Sequence, residues 1–441
     1  MHRGFVWKAD DFQRLADPSE ARANQYQKTC HRRDGLGAAQ VVVRQNACAE
    51  PRDQFLPPVS FFPATAVLRP DPVTWLGLPG RPAGQDVLEL SDSRRLQTVE
   101  LGARTMPLAA DPDAAISMAE NAVGGQRYTW AGFLNPTVEL SLAQVGLMEP
   151  YQPGKVVVVF VHGLLDNPYV FSDAVADLGG RPGFLDHYQV AVFRYPTGNS
   201  FLRSAAIFRR QLRALAATYD PAGTDPGMQN LVLVGYSMGG LLSKLQITSS
   251  GDALWATAAN VPLDSLVAPD SSKALLRDIF YFEPVTNVRR VIYIATPHDG
   301  SDVATRFVGR LGSRVVQRPA DARRIVEQIT RDNPGAVKPI GEVIPSSIDL
   351  LARRGSLLQA MQSLAVNPVV TYHTIAGTGL GPERCARGDL VVPLNSAIIP
   401  GAASTLPVRA THFSIYHIAD TINEVERILH EHSQSLGLPA P

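Results

Sequence analysis

The chain has 441 residues, 45% hydrophobic and 19% charged, which is enough apolar content for a sizeable core and enough length for more than one structural unit. Lys plus Arg and Asp plus Glu each number 41, a balance that argues against a nucleic-acid or anionic-membrane partner. Three cysteines, Cys30, Cys48 and Cys385, are too few and too scattered for a disulfide framework or a zinc cluster, so free thiols are expected rather than a Cys30–Cys48 bridge.

Residues 1–60 are polar, carry the charge cluster Arg32, Arg33 and Asp34, and show little periodicity, so they read as a weakly ordered, irregular arm. The start, MHRGFVWKADDF, lacks the apolar stretch of a signal peptide, and nowhere do about 18 apolar residues run together. A cytoplasmic protein is the default expectation; the cell envelope or secretion stays open, and any membrane contact would be at the surface. Proline and glycine punctuation from Pro57 to Pro82 precedes short strand-like runs at 86–90 and 96–101. Residues 61–152 are therefore expected to form a small β-containing region.

From 153 to 437 the texture changes to strand, loop and helix in repetition. Lys155–Val161 (KVVVVFV) is an unbroken β-branched run, as a strand buried on both faces of a parallel sheet requires. Further strands are read at Tyr188–Tyr195, Asn230–Val234, Arg290–Ala295 and Val369–Ala376, with helical stretches between them, among them Phe201–Tyr219. The alternation predicts an α/β fold with a mostly parallel open sheet flanked by helices. In such sheets chemistry sits beyond the carboxyl ends of the strands.

Three strand ends carry reactive residue types. Gly235-Tyr236-Ser237-Met238-Gly239 lies between strand 230–234 and a helical run at 241–247. A serine on a tight strand-to-helix turn presents its hydroxyl to a base and an ester carbonyl, and Gly235 and Gly239 relieve crowding there. Val161-His162-Gly163-Leu164 follows the first strong strand. Acyl transfer needs two backbone N–H donors for the oxyanion; Met238 and Leu164 are the candidates, with Gly163 allowing close approach and His162 orienting the loop.

The acid and base should follow the serine in chain order. Of the late histidines, His430 and His432 fall in an amphipathic helix read at Thr421–His432 and are expected to be solvated. His412 sits in a loop after a strand-like segment at 406–408 and is preferred as base over His417, read as lying inside that helix. Asp389, in GDLVVP after strand 369–376, is preferred as the acid that orients His412, with Asp299 after strand 290–295 as the alternative.

Taken together, VHGLLDN, Tyr195-Pro196-Thr197-Gly198-Asn199, GYSMGG, Ala295-Thr296-Pro297-His298-Asp299-Gly300-Ser301, GDLVVP and Thr411-His412-Phe413 resemble the bacterial esterase/lipase-like proteins of the α/β-hydrolase superfamily. More distantly they are similar to glycosylphosphatidylinositol-inositol deacylases. The resemblance covers about 150–435 and implies a Ser237, Asp389, His412 triad without fixing a substrate. Two positions depart from the pattern: Asp299 stands where many relatives carry Arg, and Leu390 where Gly often follows the acid.

Insertions at 251–288 and 302–366 are expected to form a lid or acyl-binding wall, with plain helical packing against the core as the alternative. The reading overall is a serine hydrolase acting on a small-molecule or lipid ester through an acyl-enzyme, needing no metal or organic cofactor. An acyltransferase with the same triad, or a non-catalytic binding protein on the same fold, are the alternatives.

Overall fold

A computed structural model describes residues 1–8, 11–46, 51–76, 84–122, 143–301, 320–338, 355–380 and 387–438. The N-terminal part is built on a five-stranded sheet: β1 (His2–Arg3), β2 (Arg14–Ala16), β3 (Ala38–Gln45), β4 (Val59–Arg69) and β5 (Val87–Asp92), in the order β1-β5-β4-β3-β2. A hairpin, β6 (Thr98–Leu101) with β7 (Arg104–Pro107), and helix α1 (Pro112–Ala122) complete it. Residues 1–60 are therefore not an irregular arm, and that expectation is corrected. β3 buries Val41 and Val42, and Phe5, Trp7 and Phe12 pack their rings against one another or against Phe62 of β4. Strands of two or three residues carry too few side chains to show an alternating pattern, which hid β1 and β2.

The second sheet begins with β8 (Gln144–Leu147) and continues with β9 (Val156–Val161), helix α2 (Ser172–Gly180), β10 (Tyr188–Arg194) and α3 (Phe201–Tyr219). β11 (Leu231–Tyr236), α4 (Met238–Lys244), β12 (Thr248–Ser249), α5 (Asp270–Phe280) and β13 (Val288–Ile294) follow. The chain then runs through α6 (Ser356–Ser363), β14 (Ala365–Val366), β15 (Thr371–Gly377), β16 (Ser404–Val408) and α7 (Ala419–Ser435). Seven strands form one sheet in the order β16-β15-β13-β11-β9-β10-β8, every neighbouring pair parallel except the antiparallel edge β10·β8. This is an α/β-hydrolase fold.

The apolar runs explain the layering. Successive residues of β9 face opposite sides: Val157, Val159 and Val161 join the core beneath α3 and α4, while Val156, Val158 and Phe160 join the core beneath α2 and α7. The segment 251–288 packs against the first of these cores. Trp255, Leu263, Leu266, Phe280 and Phe282 are buried in it, so packing accounts for the apolar content that suggested an acyl wall. Much of 302–366 lies outside the described residues. Cys30 is free and exposed, whereas Cys48 and Cys385 also lie outside them.

A buried ion cluster joins the two sheets. Arg94 and Arg95, just past β5, both pair with Asp92 of β5 and with Glu149 just past β8. Burial pushes the Glu149 carboxyl up, but the two guanidiniums outweigh it and hold the group at about 2. Among the described residues no helix is long and apolar enough to cross a membrane.

Candidate active site

β11 (LVLVGY) is buried along its length and α4 starts at Met238, so the chain must turn within one residue. Ser237 is that residue, at φ 53° and ψ −122°, a conformation that costs a non-glycine residue on the order of 1–3 kcal/mol. Its N–H is anchored to the Ile294 carbonyl at 2.8 Å. The flanking glycines permit the turn: a Cβ on Gly235 would stand 2.5 Å from the Gly240 Cα, and one on Gly239 2.1 Å from the Val161 carbonyl oxygen. The first turn of α4 therefore lies directly against the end of β9.

The neighbouring strands β15 and β16, paired in register to Gly377↔Val408, deliver the acid and the histidine from the loops at their carboxyl ends. The His412 N–H donates to the Asp389 carbonyl at 2.8 Å, tying the two loops together. His412 Nδ1 lies 2.7 Å from Asp389 Oδ2, and His412 Nε2 lies 3.0 Å from Ser237 Oγ. Asp389 Oδ1 accepts the backbone N–H groups of Val391 at 2.9 Å and Val392 at 2.6 Å. A carboxylate held this way favours the tautomer with the proton on Nδ1, which leaves the Nε2 lone pair facing the serine hydroxyl. All three residues are buried, Ser237 at 7%, Asp389 at 1% and His412 at 5% exposure.

Leu390 takes φ 79°, the left-handed region that favours glycine. Its position is the one where the resemblance leads to glycine, and the backbone keeps the glycine-like conformation with a leucine in it.

The oxyanion candidates flank the serine. Met238 is the first residue of α4, so its N–H has no partner within the helix. The Leu164 N–H has no acceptor among the described residues. Gly163 brings the loop close, since a Cβ there would sit 3.1 Å from Ser237 Cβ. His162 is fully buried and stacked on Tyr195 at 4.3 Å between ring centroids, with Tyr195 Oη donating to the His162 carbonyl at 2.8 Å. Burial pushes its imidazole down to about 3, so it stays neutral at physiological pH.

The alternatives fall elsewhere. The Asp299 N–H donates to Ser396 Oγ at 3.0 Å and its Oδ1 accepts from Gln362 Nε2 at 3.0 Å, while Asp389 holds the place against His412. His417 ends a short 3₁₀ turn, Ile415–His417, ahead of α7 rather than lying inside the helix, because the Ile418 backbone is extended and breaks the run. His432 is buried, not solvated: its Nδ1 accepts from Arg290 Nε at 3.2 Å and its Nε2–H donates to the Asn230 carbonyl at 3.0 Å. The amphipathic pattern placed it on the wrong face, because α7 buries it against the amino end of the β11 and β13 pair. His430 lies on the more open side of α7 beside Gln434.

No protein-family model and no curated protein matches the chain. Among solved structures it is similar to a mature-form lipase of Bacillus licheniformis, at 18% identity and TM-score 0.37, over 65% of this chain and 97% of that one. A metagenomic carboxyl esterase matches at 17% identity and TM-score 0.34, over 64% of this chain and 77% of that one. A lipase-esterase related protein from Clostridium acetobutylicum matches at 13% identity and TM-score 0.34, over 65% and 98%. Likenesses this remote carry nothing about activity, and the fold assignment stands on the strand order and the elbow.

Several residues beside the site had no role in the sequence reading. Tyr236 Oη donates to the His412 carbonyl at 2.9 Å and so steadies the histidine loop from beneath. Its place beside the serine was visible, but its direction was not. Asp166, two residues past Leu164, is half-buried with its carboxyl pushed up by burial to about 7. Nothing in a single Asp in a loop announces that. Lys244 and His298 are buried behind the elbow, at 4% and 5% exposure.

Proposed function

We propose that the protein is a serine hydrolase that cleaves carboxylic esters through an acyl-enzyme on Ser237, with His412 as base and Asp389 as the orienting acid. The observation that carries this reading is the unbroken pair of hydrogen bonds, 3.0 Å from Ser237 Oγ to His412 Nε2 and 2.7 Å from His412 Nδ1 to Asp389.

In this mechanism His412 Nε2 takes the Ser237 proton as Oγ attacks the ester carbonyl carbon. The carbonyl oxygen becomes an oxyanion held by the N–H groups of Met238 and Leu164, where preorganised donors are worth most. Asp389, already bonded to Nδ1, stabilises the imidazolium. His412 then returns the proton to the leaving alcohol as the C–O bond breaks. Water, deprotonated by the same nitrogen, attacks the acyl-enzyme and releases the acid with Ser237 restored.

The test is turnover of p-nitrophenyl esters from acetate to palmitate by the wild type and by Ser237→Ala. Wild-type turnover that vanishes in the variant, with far-UV circular dichroism unchanged, supports the reading. Equal turnover by the two proteins, or none by the wild type on any chain length, removes it.

A further inference from the structure

The loops that bring the acid and the histidine to Ser237 also carry three large apolar side chains that the mechanism above does not use. Leu390 follows Asp389, Phe413 follows His412, and Leu380 lies just past β15. They are 69%, 55% and 61% exposed. Backbone bonds knit their loops into one rim. The His412 N–H donates to the Asp389 carbonyl at 2.8 Å, and the Gly379 N–H to the Ala410 carbonyl at 3.0 Å. Arg409 donates to the Leu380 carbonyl at 3.0 Å, and a Cβ on Gly379 would stand 3.9 Å from Leu390 Cδ2.

Leu390 is the telling member. Its φ of 79° suits a glycine and strains a leucine, and its exposure means that packing within the chain does not offset the strain. An apolar side chain held in water at a strained position, among other exposed apolar side chains, marks a surface that meets something apolar. Two cations stand beside it. Arg387, two residues before Asp389, and Arg409, just past β16, are both exposed, and neither pairs with a carboxylate among the described residues. Apolar tips beside unpaired guanidiniums match the layering of a phospholipid surface, hydrocarbon beneath and phosphate above. The whole-chain balance of 41 basic and 41 acidic residues averages out so local a feature.

The place of the rim decides between occupants. A protein seated on these loops would cover the way to the triad, whereas a lipid surface would bring ester substrates to it. We propose, resting on the hydrolase reading, that Leu380, Leu390 and Phe413 dip into a phospholipid surface with Arg387 and Arg409 against its phosphates, so that the enzyme takes its esters from that surface.

The experiment measures co-flotation of the protein with vesicles of phosphatidylcholine alone and of phosphatidylcholine mixed with phosphatidylglycerol, beside hydrolysis of p-nitrophenyl acetate in free solution. The wild type should bind both, the mixed vesicles more tightly, and high salt should remove only that difference. This comparison needs no variant to fold. Leu380→Ser combined with Leu390→Asn, a residue that tolerates the left-handed backbone, should weaken binding to both vesicles by roughly tenfold or more. Arg387→Gln with Arg409→Gln should weaken binding to the mixed vesicles by about fivefold for each residue. Both variants should keep acetate hydrolysis near the wild-type rate and an unchanged far-UV circular dichroism. Failure of the wild type to bind either vesicle, or binding that either pair of substitutions leaves unchanged, overturns the proposal, while acetate hydrolysis keeps the hydrolase reading intact. Ser237 unreactive toward a fluorophosphonate removes that reading and with it the delivery of esters proposed here.

Discussion

At the carboxyl edge of the same sheet, a histidine and an aspartate occur as a pair twice, once within one loop and once from two loops, and the two pairs are used differently. After β13, His298 and Asp299 stand side by side; beyond β15 and β16, Asp389 and His412 come from separate loops. The adjacent pair makes no triad. The Asp299 carboxylate is engaged by Gln362, and the ring nitrogens of the buried His298 have no hydrogen-bond partner among the described residues, its ring meeting Tyr293 edge-on. The distant pair meets at 2.7 Å, because β15 and β16 run parallel in register and a backbone bond from His412 to Asp389 joins their loops. What makes a histidine a base is thus a carboxylate on one nitrogen and a hydroxyl on the other. Proximity in sequence does not supply that.

The two pairs should differ most in the chemistry. Ser237→Ala should lower kcat by on the order of 10⁴-fold or more, and His412→Ala should be of similar size, since both abolish the covalent step. Steady-state rates on a p-nitrophenyl ester check this, and a variant that keeps a tenth of wild-type activity would take its residue out of the mechanism. Next come the two acids. Asp389→Asn should cost about 10³- to 10⁴-fold in kcat, because an amide favours the wrong tautomer of His412 and cannot stabilise its cation. Asp299→Asn should cost less than about tenfold, as its carboxylate engages Gln362 at the surface and not His412. The reverse order would move the acid to the β13 loop.

His298 gives a finer test. Burial, together with the Lys244 charge, pushes its imidazole well below the usual histidine range, so the ring stays neutral around pH 7. A group depressed in the folded state adds no charge there. His298→Gln should therefore leave the acid limb of the kcat/KM profile in place, whatever it does to the height of the curve. A shifted limb would make His298 part of the proton chemistry. The smallest effect is expected at Leu390. Leu390→Gly relieves a left-handed leucine at about 1–2 kcal/mol but frees the unfolded chain by about 0.5–1 kcal/mol, so stability should rise by no more than about 1.5 kcal/mol. Thermal denaturation measures it, and a loss above about 2 kcal/mol would mean that this exposed side chain holds the Asp389 loop.

The same contrast marks what was legible in the sequence. β9 and β11 are apolar along their whole length and end in HGLL and GYSMGG, so hydrophobic runs and turn glycines located Ser237 and the oxyanion loop without coordinates. Asp389 over Asp299 was a weaker preference, because both follow strands and only strand order and register decide which carboxylate reaches His412. His432 was misread because one helical face covers the sheet end where Arg290 and Asn230 wait, partners remote in sequence. The first 60 residues were misread because their strands are short and their aromatic anchors, Phe5, Trp7 and Phe12, find Phe62 across the chain. Asp166 was overlooked because the burial that pushes its carboxyl up depends on the folded surroundings, which no local pattern contains.

In the proposed mechanism Ser237 is a nucleophile made reactive by His412 and Asp389. Mass spectrometry of the protein after treatment with a fluorophosphonate tests it most directly. One phosphonyl adduct per chain on the peptide carrying Ser237, absent in Ser237→Ala and formed far more slowly in His412→Ala, is the predicted result. An adduct on another residue, or rapid labelling of Ser237 in His412→Ala, would contradict it.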